Sequence, residues 1–181
     1  MEEKAAKAPL KKFFEPLTAR AFTELGIRDA RIVDYVSDVL SRFARMDSLY
    51  RIRNAQGKPL DTVVEMLMAA EQCLELESLN PSREKDIHQH IGDFTLFMAG
   101  IFREYVERQG ILGLYIHEGE ASYRSVAEYL KLLFKPEATL FYQLSRGFEQ
   151  YAGSLNYLKK VYLRPESHGG AYREILTGLG D

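Results

Sequence analysis

Two aspartates and two histidines stand close together in the middle of the chain, at Asp86, His88, His90 and Asp93. Imidazole and carboxylate groups bind metal ions and transfer protons, so this group is the first candidate for chemistry. On an α-helix, however, His88 and His90 point about 160° apart and cannot share a metal ion. His90 lies one helical turn from both aspartates. We therefore predict a structural histidine that is hydrogen-bonded to Asp86 or Asp93, and no metal site.

The other motifs that usually carry chemistry are missing from the sequence. It contains no Glu-x-x-His pair of a di-iron bundle, no His-Glu-x-x-His and no Gly-x-Ser-x-Gly. His117, Glu118 and Glu120 offer three ligand groups without a fourth, so we interpret them as a solvated helix entry. The single cysteine, Cys73, lies in an apolar helical pattern that is typical of a buried, inert thiol. The sequence therefore gives no candidate catalytic residue and predicts neither a metal nor a cofactor.

A short basic stretch is the strongest charge feature. Between residues 42 and 58 the chain carries several arginines and a lysine but only one acid, Asp47. An exposed cluster of this kind can bind a phosphate group or an acidic partner. The other interpretation is a solvated connection between two helices. The candidate anion-binding residues are Arg42, Arg45, Arg51, Arg53 and Lys58.

The composition is that of a folded domain with balanced charge. Of 181 residues, 46% are apolar, and the 10 Phe and 11 Tyr residues can form a substantial core. The 24 basic and 26 acidic residues give a net charge of -2, unlike the strongly basic surfaces of nucleic-acid binders. No apolar run approaches the roughly 20 residues that span a bilayer. These features predict a cytoplasmic protein without a membrane or a specific nucleic acid as partner.

Apolar periodicity and capping residues predict an all-α chain. Apolar residues recur at helical spacing almost throughout, and no alternating strand pattern stands out. Only residues 110–120 show no clear period. The predicted helices cover Leu10 to Leu25, Asp29 to Met46, Asp61 to Glu77, Ser82 to Gln109, Ala121 to Phe134, and a final long segment from Pro136.

The predicted helix over residues 82–109 is expected at the centre of the fold. Its apolar residues cover more than one face, as in a helix surrounded by others. Gly92 and Gly100 lie two turns apart and would let a neighbouring backbone approach. From Phe141 to Tyr162 the apolar spacings alternate between three and four, which predicts packing along another helix. We predict one all-α domain, an irregular bundle of about six helices around helix 82–109, with loose tails at 1–9 and 165–181.

Two functions fit such a bundle. The first is a non-catalytic interaction or scaffold module that binds itself, as a homodimer, or another protein, because the two long helices carry surplus apolar residues. Its expected contact residues on the last helix are Tyr142, Tyr151, Tyr157 and Tyr162. The alternative is a binding protein that holds a small apolar or aromatic ligand between helices. The lining residues of this alternative would be Phe94, Phe97, Met98, Phe141, Phe148 and Tyr151.

Three segments together resemble an uncharacterised family of all-helical bacterial proteins. They are GDFTLFMAGIF at residues 92–102, YIHEGEASY at residues 115–123 and the long helix after Pro136. The resemblance spans the predicted second to sixth helices and implies a helical domain of the bacterial cytosol. The family has no assigned activity, so no catalytic residue carries over. Its FPE sequence is replaced here by FRE at residues 102–104, which predicts that the helix continues past this point.

Overall fold

The computed structural model describes residues 2–44, 53, 57–60, 62–73 and 80–163, with side chains described from residue 10 onward. These ranges contain eight α-helices and one isolated bridge between Arg53 and Pro59, so the predicted all-α class is confirmed. None of these helices has both the length and the apolar character that crossing a bilayer requires. The helices are α1 (Glu2–Glu24), α2 (Ala30–Phe43), α3 (Val63–Gln72), α4 (Pro81–Ile101), α5 (Arg103–Arg108), α6 (Leu112–Leu132), α7 (Ala138–Arg146) and α8 (Phe148–Tyr162).

The first helix is longer than predicted. It begins at Glu2 rather than Leu10, so the predicted loose tail at residues 1–9 is helical over residues 2–9. Pro16 lies within α1 without ending it. The helix stops before Gly26, as predicted, and the φ of +82° at that residue is one that glycine adopts readily. The other predicted tail, residues 165–181, lies outside the described residues.

Polar side chains cap the next three helices. Asp29 caps α2 as predicted, since its carboxylate accepts a 2.9 Å hydrogen bond from the Arg31 backbone N–H. Thr62 caps α3 and forms a reciprocal capping box with Glu65, whereas Asp61, where the helix was predicted to begin, lies outside the described residues. Asn80 caps α4 one residue before Pro81, the favoured first helical position.

The predicted central helix is two helices in the structure. α4 ends at Ile101 because Phe102 leaves helical geometry, with φ -106° and ψ 28°. The expected continuation through FRE is therefore wrong. The Phe102 ring packs against Phe97 at 5.6 Å and lies below the Lys159 ammonium group. These contacts fix the ring between α4 and α8, and the chain restarts as the short helix α5.

Two further predictions about the second half of the chain need correction. Residues 112–120, which show no apolar period, form the first part of α6. The predicted long helix after Pro136 is interrupted at Gly147, which separates α7 from α8. A side chain at Gly147 would collide with the Tyr151 ring, at 2.6 Å from its nearest atom. The apolar seam itself is correct, because Phe141, Leu144, Phe148, Tyr151, Leu155 and Leu158 are all buried.

The central position of α4 is confirmed. Every residue from His90 to Phe97 is buried, so α4 has no solvent-facing side over these two turns. α6 runs antiparallel along one side of it, and α8 packs against another side, where Leu155 meets Gly100. α2 and α3 also contact α4, while α1 packs on α2 and α8. This arrangement places the buried Asp93 carboxylate of α4 against two other helices, α2 and α6.

Candidate functional site

A buried carboxylate lies at the junction of α2, α4 and α6. Asp93 of α4 is only 1% exposed, and an isolated buried charge would be very unfavourable. The surrounding helices supply polar partners for it. We define the Asp93 cluster as Asp93 with Tyr35, Arg42, Gln89 and Tyr123.

Both oxygens of the Asp93 carboxylate accept hydrogen bonds. The hydroxyl groups of Tyr35 and Tyr123 donate to Oδ1, at 2.6 and 2.8 Å. The guanidinium of Arg42 donates to Oδ2 at 3.0 Å, and its Nε also donates to Asp38 at 3.0 Å. Gln89 donates to the Tyr35 hydroxyl at 3.2 Å. Apart from the Arg42–Asp38 bond within α2, each of these bonds joins α4 to α2 or to α6, so the cluster fixes the relative positions of the three helices.

The electrostatics of the cluster follow from its burial. Burial raises the pKa of Asp93, while the charge of Arg42 and the tyrosine hydrogen bonds oppose this shift. Burial and the neighbouring Asp93 charge raise the pKa of both Tyr35 and Tyr123 well above the ordinary value. The tyrosines therefore stay protonated and keep donating. Because the chain itself occupies both carboxylate oxygens, the geometry favours a helix-joining role over acid–base catalysis.

The two histidines lie on different sides of α4, as their spacing predicts. His90 is buried, and its ring lies 5.6 Å from Phe43 and 6.4 Å from Phe94. Asp93, its predicted partner, bonds to Arg42 and the two tyrosines, and Asp86, the other candidate, pairs with Lys85. Among the described residues, no three His, Cys, Asp or Glu side chains come together as a metal site.

His88 was not expected to have a role, yet it joins α4 to α6. Its Nδ1 lies 3.3 Å from the Ser122 hydroxyl, and its Nε2 lies 3.8 Å from Glu84. Burial lowers the pKa of His88 below its ordinary value. His117, Glu118 and Glu120 lie within α6 rather than at a helix entry. The backbone carbonyl of Glu120 accepts a 2.8 Å hydrogen bond from Ser145, which links α6 to α7.

The predicted anion-binding patch loses its first member. Arg42 points into the Asp93 cluster and pairs there with two carboxylates. Arg53 and Lys58 are exposed, and the Arg53 guanidinium donates to the Gly57 carbonyl at 2.7 Å. Arg45 and Arg51 lie outside the described residues. The part of the patch that the structure describes is therefore Arg53 and Lys58.

The six residues predicted to line a ligand pocket are spread through the core. Phe141 packs on Tyr35 and Tyr123, whereas Phe97 packs on Phe43. In each of these ring contacts, the second ring is not one of the six. Phe94 packs against His90 and Tyr115, and Phe148 packs against Tyr123. Tyr151 stacks on Phe22, and Met98 is partly buried against the core. The structure thus shows these side chains packed against other residues of their own chain.

The tyrosines predicted to form a dimer contact are used within the chain. Tyr157 and Tyr162 of α8 donate hydrogen bonds to the Glu24 carboxylate of α1, at 2.8 and 2.6 Å. Both hydrogen bonds lower the pKa of Glu24, and the bond from Tyr162 has the larger effect. Tyr151 is buried and Tyr142 is partly buried against the core. The surface they were expected to offer is therefore largely covered by α1 and by the core.

The end of α6 carries an apolar surface that the sequence reading missed. Leu132, Leu133 and Phe134 are 78%, 50% and 95% exposed. The Phe134 and Lys135 N–H groups bond back to the carbonyls of Lys131 and Leu130, which is a Schellman ending. Phe134 occupies the left-handed position of this motif, with φ +54°, where glycine is usual and another residue costs roughly 1–2 kcal/mol. We call Lys131 to Lys135 the α6 tip.

A signal for the α6 tip was present in the sequence. Three large apolar residues stand between two lysines, directly before Pro136, at a place where the apolar stripe of α6 should end. The Asp93 cluster had no such local signal, because its members are distant in sequence.

Over the described residues the fold is all-helical, and the chain's own side chains occupy both oxygens of the buried Asp93 carboxylate. Comparison with known proteins finds no matching family model, no matching curated protein and no matching solved structure. The resemblance to the helical bacterial family stays a prediction.

Proposed function

We propose that this protein is a non-catalytic helical interaction module that associates with itself. The observation that carries the proposal is on α3, where Val64 and Met68 are each 56% exposed. They stand four residues apart and therefore lie on one face of the helix. The opposite face of α3 buries Val63, Met66 and Ala70 against the bundle. The outer apolar face is thus additional to the one that folding requires.

A second copy of the chain is the partner that we propose for this face. Two-fold dimers are the commonest assemblies, and they need a surface that contacts its own copy. A helix face that lies along the bundle can do this, since adjoining helical surface extends the contact. Two side chains alone cover little of the roughly 800 Å² per partner in a stable interface, so we expect weak association. The internal use of Asp93 and its partners supports the non-catalytic part of the proposal.

The location proposed with this function is the bacterial cytosol, which only the sequence resemblance and the composition support. Ligand binding is the less favoured function. The aromatic side chains that would line its pocket contact rings of their own chain instead. A small apolar molecule that copurifies in equal amount with the protein, detected by native mass spectrometry, would reverse this preference.

Sedimentation equilibrium of the full chain, from low to high micromolar concentration, tests the proposal. The wild type should show a mass that rises with concentration, and Met68→Glu should shift the rise to concentrations at least about tenfold higher. Leu114→Glu, at an exposed position on α6, is the control and should behave as the wild type. A single-chain mass throughout the range contradicts self-association. Equal association of wild type and Met68→Glu contradicts the α3 face.

A further inference from the structure

The α6 tip projects from one end of the bundle. His88 lies opposite Ser122 and Thr95 lies opposite Gly119, so α4 and α6 run antiparallel. If this antiparallel pairing continues along both helices, the end of α6 lies beside the start of α4. All residues from 131 to 137 are exposed, which means that no other part of the described chain covers the tip. The tip is therefore an exposed apolar surface at this end of the bundle.

The conformation of Phe134 indicates that its side chain serves a contact outside the fold. A left-handed backbone is easy for glycine and unfavourable for phenylalanine. The Phe134 ring is almost fully exposed, so intramolecular packing does not compensate for the strain. Strained residues persist at sites where they contribute to function. The useful property of Phe134 at this position is the ring that it presents to the surroundings.

Charged side chains around the tip indicate what it contacts. Lys131 and Lys135 bracket the three apolar residues, and both lysines are exposed. Arg83, in the first turn of α4, lies at the same end of the bundle and donates to the Arg53 carbonyl at 3.1 Å. Glu128 and Glu137 are exposed near the tip as well. Lys131 and Lys135 directly adjoin the apolar residues, whereas Glu128 and Glu137 lie farther along the chain, so the charges next to the apolar residues are positive.

We propose that the α6 tip binds the surface of an anionic lipid bilayer. Phe134 and the two leucines would enter the boundary between headgroups and acyl chains, with Lys131 and Lys135 at the level of the anionic headgroups. A bilayer is the occupant that we propose because the lysines next to the apolar residues match anionic headgroups, whereas three side chains alone cover little of the roughly 800 Å² per partner in a stable protein interface. The contact is peripheral and reversible, since it reaches only the headgroup region. It does not depend on self-association through α3.

Vesicle sedimentation with the full chain tests this inference. Vesicles of equal parts phosphatidylglycerol and phosphatidylcholine, at millimolar lipid, should bind the wild type, and added salt should weaken binding. Pure phosphatidylcholine vesicles should bind it clearly less. Phe134→Gly should weaken binding to anionic vesicles at least about tenfold, because it removes the ring that leaves water. It should also raise Tm, since glycine suits the left-handed position, so lost binding is separated from lost folding.

Leu114→Gln, on an exposed part of α6 far from the tip, is the control variant and should bind as the wild type. Three results overturn the inference: no binding of wild type to anionic vesicles, equal binding to both vesicle types, or unchanged binding of Phe134→Gly. A change in self-association caused by Phe134→Gly, without vesicle binding by the wild type, would assign the tip to a protein contact instead.

Discussion

At the scale of single residues, Asp93 has the largest structural consequence. Its carboxylate receives three hydrogen bonds from two other helices, so one side chain controls how α2 and α6 sit on α4. A buried ion pair adds little net stability compared with apolar residues of the same shape. Breaking such a pair from one side is much more costly, because the remaining charge stays buried.

We therefore expect Asp93→Asn to lower the free energy of unfolding by about 2–3 kcal/mol, because Arg42 loses its buried counter-charge. Arg42 keeps Asp38 as a partner and is partly exposed, which places the loss below that of a fully buried pair. Urea unfolding measures it. The double variant Asp93→Asn with Arg42→Met should lose less than Asp93→Asn does, because it removes the unpaired charge and keeps an amide oxygen as acceptor for Tyr35 and Tyr123. A neutral Asp93→Asn would contradict the structural role of the cluster.

His88 gives a second residue-scale prediction, which concerns pH. Burial lowers the folded-state pKa of His88 below its ordinary 6.5, so the unfolded chain binds the proton more readily. The stability that neutral His88 contributes is present above pH 6.5 and is lost as pH falls through the folded-state pKa. Tm measured between pH 8 and pH 5 should fall less steeply in His88→Gln than in the wild type. Equal slopes would show that His88 does not contribute to the acid sensitivity.

At the scale of the helices, glycines set how closely α4, α6 and α8 approach. Gly92 lies under the Tyr123 ring of α6, and a side chain at Gly100 would meet Leu155 of α8 at 2.5 Å. The two glycines therefore face different helices, although the sequence suggested one strip for one neighbour. A side chain at Gly119 of α6 would overlap the Phe148 ring and would meet the Thr95 hydroxyl at 2.6 Å. Each glycine marks a place where a neighbouring side chain fills the missing volume.

Substitution of two glycines in helices should have opposite effects. Gly119→Ala should lower the free energy of unfolding by about 1–3 kcal/mol, because its methyl group would overlap the Phe148 ring. Gly153→Ala is the matched control in α8, where a side chain meets nothing within 4 Å. It should raise the free energy of unfolding by about 0.8–1 kcal/mol through helix propensity. Urea unfolding of both variants checks this pair, and a stabilising Gly119→Ala would contradict the close packing.

Local signals explain which helices the sequence predicted well. Asp29 caps α2 through a hydrogen bond to the backbone N–H of Arg31, two residues along the chain. The start of that helix could therefore be predicted without any tertiary information. Gly113 and Gly119 interrupt the apolar period at the start of α6, and the helix there was missed. The break at Gly147 was missed for the opposite reason. Apolar spacing continues across it, because α7 and α8 bury the same seam.

The polar core could not be predicted in the same way. Tyr35 and Tyr123, which both donate hydrogen bonds to Asp93, are separated from it by 58 and 30 residues in the sequence. No local spacing indicates such a meeting, since it depends on how three helices cross. The sequence therefore directed attention to His90, which is next to Asp93 on the same helix. His90 is indeed buried, but the groups that bond to Asp93 were not predicted.

At the scale of the whole molecule, the described apolar surface is divided between separate places. The α3 face lies along the bundle, and the α6 tip projects from its end. We propose a second copy of the chain as the partner of the α3 face and an anionic bilayer surface as the partner of the α6 tip. Met68→Glu and Phe134→Gly should therefore affect different measurements, namely association in solution and vesicle binding.

The contact between α1 and α8 joins distant parts of the chain, and from it we infer the order in which the parts of the protein fold. Glu24 of α1 is hydrogen-bonded to Tyr157 and Tyr162 of α8, which lie 133 and 138 residues later in the sequence. His88 of α4 and Ser122 of α6 are only 34 residues apart. Closing the longer loop costs more chain entropy, so the α4–α6 pair should form before the folding barrier and the α1–α8 contact after it. Tyr157→Phe should then speed unfolding and leave the folding rate unchanged in stopped-flow experiments. A slower folding rate in this variant would place the closure of α1 on α8 within the folding transition state.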